Sequence, residues 1–172
     1  MQKIILVAHN IRSCHNVGSL LRTADGLGIE KVYLSGYTPY PLQKNDKRLP
    51  HLAAKIERQI SKTALGAEKS VRWEHALSIN TLLDKLSSQG YELVALEQHK
   101  SSVALENFLP ANKIALIVGP EVQGLDPPVL AQADKIVEIT MRGKKESFNV
   151  AVAAAMALYH LTDRHKRHRA LK

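Results

Sequence analysis

Five short runs rich in β-branched and other apolar residues are separated by longer segments whose apolar residues recur at helical spacing. The runs are Lys3 to Ala8, Lys31 to Ser35, Tyr91 to Glu97, Ile114 to Val118 and Lys135 to Ile139, with a shorter candidate at Ser70 to Trp73. Runs this short suit buried strands better than helices. Between them, Val17 to Leu27 reads as a helix, with Asn16 as its N-cap acceptor and Gly28 as its stop. His75 to Ser88 reads as a second helix, and Pro127 to Ala133 as a third that begins on a proline, as a first helical turn allows. Ser147 to Thr162 is the last, apolar on nearly all sides from Val150 to Leu158 and so expected to be buried over most of its circumference. This alternation predicts an α/β fold with a largely parallel sheet and helices on both faces. Ligands of such sheets bind beyond the carboxyl ends of the strands.

A chain of 172 residues predicts one domain, here residues 1–163, followed by a basic tail at 164–172. At this length roughly 70 % of the extended-chain surface can be buried, so neither disulfides nor a structural metal are needed for folding. The lone cysteine, Cys14, excludes an intramolecular disulfide framework and a Cys-rich zinc site. The eight histidines show no metal-ligand spacing, and no metal is expected. The apolar stretch Ile4 to Ala8 is too short for a signal peptide or a membrane span, which makes a cytoplasmic protein the expectation.

The formal charge of +8 is unevenly placed. Leu42 to Lys62 carries a net +4 and Arg164 to Lys172 a net +5, so the other 142 residues are near neutral at −1. Two basic segments on a neutral body suit a polyanionic partner, and nucleic acid fits best. A solvated helix face and a solubilising tail would have the same composition. Tyr37 to Leu49, with Pro39, Pro41, Asn45 and Asp46, has no period and reads as a mobile basic loop that substrate could order.

Three blocks carry candidate chemistry. Asn10 to Gly26 follows the first strand, and its Arg12 and Arg22 are candidates for bidentate phosphate contacts. An ion pair of Arg22 with Asp25, three residues on, is the alternative. Val118-Gly119-Pro120-Glu121, with Gly124-Leu125, lies between a strand and a helix and is neither a dinucleotide fingerprint nor a phosphate loop. In Ile139 to Val150 a strand ends in a basic, Gly-containing loop, and Ser147 and Asn149 open the helix that follows. Capping is sufficient reason for Ser147. Asn149 sits two residues further, where an amide in so apolar a helix requires a partner.

Together these blocks resemble, in order and character, the three motifs of the SpoU/TrmH-type RNA ribose 2′-O-methyltransferases of the SPOUT superfamily. Lys62-Thr63-Ala64-Leu65-Gly66-Ala67-Glu68 is also similar to that family. The resemblance implies a parallel sheet whose C-terminal segment is threaded into a trefoil knot, a homodimer, and S-adenosylmethionine as cofactor. It places Leu96, Gly119, Ile139, Met141 and Phe148 at the cofactor, and Arg22, Asn16, Glu121, Ser147 and Asn149 around the reacting centre. Arg22 is implied to reach the partner's cofactor pocket. Phe148 stands where leucine is more usual in the family, and Pro120 where asparagine is common. The first motif begins at Asn10, so the additional RNA-binding domain of several relatives is expected to be missing. The implied activity is methyl transfer to a ribose 2′-hydroxyl of tRNA or rRNA, tRNA being favoured because a small enzyme can dock on a compact substrate. A non-catalytic RNA-binding protein on the same scaffold, a knotted methyltransferase acting on a base nitrogen, and an unrelated nucleotide-binding α/β protein are the competing readings.

Overall fold

A computed structural model describes residues 2–120 and 123–170, with side chains described as far as Asp163. In chain order the elements are β1 (Lys3–His9), α1 (Cys14–Leu27), β2 (Lys31–Ser35), α2 (Pro50–Ala64), α3 (Ala67–Ser70), β3 (Trp73–Ala76), α4 (Ile79–Ser88), β4 (Glu92–Leu96), β5 (Val103–Ala104), β6 (Lys113–Val118), α5 (Pro127–Gln132), β7 (Lys135–Glu138) and α6 (Val150–Ala170). The strands form one sheet of order β3-β2-β1-β6-β4-β7-β5, and every pairing is parallel. The period of two along β1 sends Ile4, Leu6 and Ala8 into a core shared with Leu20 and Leu21 of α1 and Ala154 and Leu158 of α6. Ile5 and Val7 face the opposite core, with Leu82, Leu83 and Leu86 of α4 and Val129 of α5. Helices on both faces explain why β1 is apolar without alternation.

Four local expectations are corrected. Helix α1 starts three residues before Val17, and Ser13, not Asn16, is its N-cap, accepting the Asn16 N–H at 3.3 Å. Asn16 therefore belongs to the first turn. The strand expected at Ser70 to Trp73 lies at Trp73–Ala76, in register with Val32–Ser35 of β2, so His75 and Ala76 are not helical. Helix α4 begins only after Ser78, whose hydroxyl accepts the Thr81 N–H, and Leu77 is left 84 % exposed between the two elements. Helix α6 begins at Val150, not Ser147, and its backbone continues to Ala170, eight residues past the expected end. Of the tail expected at 164–172, residues 164–170 thus prolong α6, while their side chains lie outside the described residues.

The segment from 37 to 49 is irregular, as expected, but it is held in shape. Arg48 donates to the Asp46 carboxylate through Nε and Nη2, to the Tyr40 carbonyl at 2.9 Å and to the Pro41 carbonyl at 3.1 Å. The guanidinium also lies 3.7 Å from the Tyr40 ring centroid. The same arginine holds the Asp46 carboxyl well below the usual carboxylate range.

Helix α2, which periodicity did not mark, buries Ala53, Ile60 and Ala64 and packs on α1. The two backbones meet at Gly18. A Cβ there would lie 2.3 Å from the Ile60 carbonyl oxygen and 2.1 Å from Thr63 Oγ1, whose hydroxyl donates to the His15 carbonyl. Gly18→Ala is expected to cost roughly 1–3 kcal/mol, since main-chain atoms must separate. Urea unfolding with a lowered midpoint and an unchanged slope would show this, whereas wild-type stability would contradict the close crossing.

Candidate functional site

Strand β4 sits between β6 and β7, so the loops leaving all three strands meet at one edge of the sheet. They enclose a cleft of about 280 Å³, near the lower end of the roughly 300–1,000 Å³ typical of small-molecule sites. Leu96, Gly119, Ile139, Ser147 and Phe148 all line it. Met141 does not, and it lies further along the loop leaving β7. The Phe148 side chain is 41 % exposed at the cleft, an apolar surface available to a ligand.

Glycine is required at two points of this wall. A Cβ on Gly119 would lie 2.8 Å from the Leu125 side chain. Gly124 has φ +68, in the left-handed region, and a Cβ there would lie 2.5 Å from Glu97 Oε2. Glu97 is a site residue that motif reading missed. Its carboxylate accepts the Leu125 N–H at 2.9 Å, and its own backbone N–H donates to the Val137 carbonyl at 2.9 Å. The next side chain, Gln98, donates to the Glu146 carbonyl at 2.6 Å. Two consecutive residues at the exit of β4 therefore bind the loops on both of its sides. An acid at the C-terminal end of a parallel strand was the signal available for finding them.

Asn149 is the N-cap of α6. Its Oδ1 accepts the N–H groups of Ala151 at 2.9 Å and Val152 at 3.4 Å, and its Nδ2 donates to Asn16 Oδ1 at 3.2 Å. The amide thus has the partner its position demanded, and the structure brings the first and third sequence blocks together here. Ser147 stands free of the cap, on the cleft, and its hydroxyl has no hydrogen-bond partner among the described residues. Arg22 is exposed on α1, outside the cleft of its own chain, and makes no ion pair among the described residues. Asp25, its expected alternative partner, accepts instead from the Ser70 hydroxyl at 2.7 Å. Glu121 lies outside the described residues.

At the end of β1, Asn10 holds φ +55 and its Oδ1 accepts the Tyr37 N–H. That orients its Nδ2 toward His9 Nε2 at 3.0 Å, so Nε2 is the acceptor and the ring proton sits on Nδ1, beside Ser35 Oγ at 3.2 Å. Burial lowers the His9 pKa below 6.5, and the Asp126 carboxylate offsets this in part. No cluster of three or more potential metal ligands occurs among the described residues, and no helix among them is long and apolar enough to cross a membrane.

Two outcomes are expected. Asn149→Ala should cost about 1 kcal/mol in stability through the lost cap, measurable by denaturant unfolding, while Ser147→Ala should cost far less. Because His9 is neutral when folded, its depressed pKa adds no stability above its unfolded value. As pH falls below about 6.5 the unfolded chain takes up a proton that the folded chain resists. Unfolding free energy should therefore fall between about pH 7 and pH 5, and His9→Gln should flatten that loss. An equally steep loss in the variant would remove His9 as its source.

A family model described as the SpoU rRNA Methylase family matches residues 3–159. The chain is 28 % identical over 158 residues to the tRNA (guanosine(18)-2′-O)-methyltransferase of Borreliella burgdorferi, covering 92 % of this chain and 65 % of that protein. To the protein of the same name from Aquifex aeolicus it is 30 % identical over 159 residues, covering 91 % and 67 %. The crystal structure of the A. aeolicus TrmH/SpoU tRNA modifying enzyme superposes with a TM-score of 0.80 at 25 % identity, over 98 % of this chain and 78 % of that one. The chain spans 52–67 % of the length of the first curated relatives it matches. With nearly its whole length matched, this chain belongs to the SpoU rRNA Methylase family.

Proposed function

We propose that this protein is an S-adenosylmethionine-dependent methyltransferase acting on a ribose 2′-hydroxyl of RNA, with tRNA favoured over rRNA. The observation that carries the reading is the meeting of the three motif blocks, through the Asn16–Asn149 bond and the loops around β4. The names of the relatives from B. burgdorferi and A. aeolicus support it. The cleft fits the cofactor: Leu96, Ile139 and Phe148 offer apolar contact to an adenosine, and at Gly119 and Gly124 the backbone is bare of side chains. When bound, S-adenosylmethionine supplies an electrophilic methyl group on a sulfonium.

The residues of the chain have separable tasks. Glu97 and Gln98 keep the two walls of the cleft at fixed separation, and so fix the frame in which acceptor and donor are brought into line. The Ser147 hydroxyl, unpartnered on the cleft, takes the ribose hydroxyl as its hydrogen-bond partner. Arg22 holds the adjacent phosphate and the developing alkoxide through the donors of its guanidinium. Glu121 is assigned to the same centre on the strength of its motif.

Arg22 is absent from the cleft of its own chain, which supports a homodimer in which it serves the partner's cleft. Val152, Ala155, Met156 and Tyr159 recur along one side of α6, with Val152 50 % and Tyr159 63 % exposed, a stripe suited to such an interface. The trefoil knot belongs to this reading as well. It is supported by the insertion of β4 between β6 and β7, both of which come later in the chain. A cytoplasmic location suits an enzyme of cellular RNA.

Purified protein is expected to transfer labelled methyl from S-adenosylmethionine to tRNA faster than to rRNA. Arg22→Ala should lower transfer by roughly 10²–10³-fold while cofactor binding, followed by calorimetry, is retained. Equal transfer by the variant would remove the role given to Arg22. RNA binding without S-adenosylmethionine binding would favour a non-catalytic scaffold.

A further inference from the structure

The strand-end edge that carries the cleft also carries a second hollow, at the other end of the sheet. It has a volume of about 430 Å³ and lies beyond β2 and β3, with Arg12, Tyr37, Tyr40, Arg48 and His75 among its walls. Its base is prebuilt: the Tyr40 and His75 rings stack with centroids 4.1 Å apart, and Arg48 fixes Tyr40 from the loop. Two of its groups are unengaged. The Tyr37 side chain is 54 % exposed, and the exposed guanidinium of Arg12 has no hydrogen bond or ion pair among the described residues.

Helix α2, which contributes Ile56 to the hollow, carries a row of cations on its solvent-facing side. Lys55, Arg58 and Lys62 are exposed and recur on one face of α2, and Lys44 and Lys47 are exposed on the loop before it. The two acids of this segment neutralise none of them. Asp46 is bound by Arg48, and Glu57 accepts the Leu42 N–H at 2.6 Å and the Ser61 hydroxyl. The loop thus keeps its acids for internal bonds and turns its lysines outward.

Exposed aromatic groups beside unneutralised cations are the chemistry that binds unpaired nucleotides, whose bases have free faces. A duplex buries those faces and shows mainly phosphates and sugar hydroxyls. We propose that the hollow takes an unpaired nucleobase of the RNA, stacked at Tyr37 and His75, with the flanking phosphates on Arg12 and the α2 ridge. This rests on the RNA reading above and deepens it: the substrate would be gripped at a loop or bulge some distance from the nucleotide in the cofactor cleft.

The test is filter binding of a hairpin RNA with an unpaired loop and of a fully paired duplex of equal length, across a salt series. The wild-type protein should favour the hairpin by at least roughly tenfold. Tyr37→Ala should lower hairpin affinity roughly 5- to 100-fold, leave duplex affinity unchanged and keep the salt dependence. The double variant Lys55→Ala, Arg58→Ala should weaken both RNAs and lower the salt slope by about 1.4 for the hairpin, or about 0.7 per phosphate contact. Arg12→Glu reports on the hollow without touching a ring, and it too should reduce the preference for the hairpin. Equal wild-type affinity for the two RNAs, or an unchanged preference in both Tyr37→Ala and Arg12→Glu, overturns the proposal. Absence of wild-type binding to any RNA would instead overturn the function on which it rests.

Discussion

Asn149 closes the first turn of α6 with its side-chain oxygen and holds Asn16 with its nitrogen. Each half of this arrangement supports the other. The cap fixes the amide plane, and the fixed plane turns its N–H₂ toward Asn16. Residues 146–148 owe their position at the cleft to this, because the chain must enter the helix from that side. The exit of β4 completes the frame, since Glu97 and Gln98 bind the loops on either side of it. A site assembled from three loops is therefore fixed by a few bonds to backbone atoms and one amide–amide contact.

The sheet was legible in the sequence because buried parallel strands are short and apolar throughout, and nothing else in the chain has that form. All five principal runs are strands, with ends displaced by at most one residue. Helix α2 was not legible, since two of its buried positions are the alanines Ala53 and Ala64, set among five charged or histidine side chains, and no side chain caps it. Leu77 misled in the opposite way, an apolar residue at helical spacing that faces solvent. At both Ser13 and Asn149 the capping residue was a small polar neighbour of the one expected, which spacing alone does not distinguish.

The candidate site divides along similar lines. Leu96, Gly119, Ile139 and Phe148 were found through motif resemblance and share one cleft. Glu97 and Gln98 escaped because a side chain that binds a distant backbone amide leaves no periodic trace. The Arg22–Asp25 pair illustrates the converse. Its spacing allowed an ion pair on one helix face, but Ser70 on α3 holds the aspartate. Helix geometry defines which contacts are available, and tertiary neighbours select among them.

Gly18 brings the main chains of α1 and α2 into close approach, with the Ile60 carbonyl, the Ala64 nitrogen and the Thr63 hydroxyl filling the space a Cβ would take. Such a crossing acts as a welded joint. Neither helix can roll or slide against the other without a main-chain clash, so α2 and the block holding Asn16 and Arg22 move as one piece. A polymer seated along α2 would then stand at a set distance and angle from those residues. In a molecule built this way, reach is a property of the scaffold, and a change in which position of a long substrate is selected must come from the surface of α2 or from the substrate's own shape.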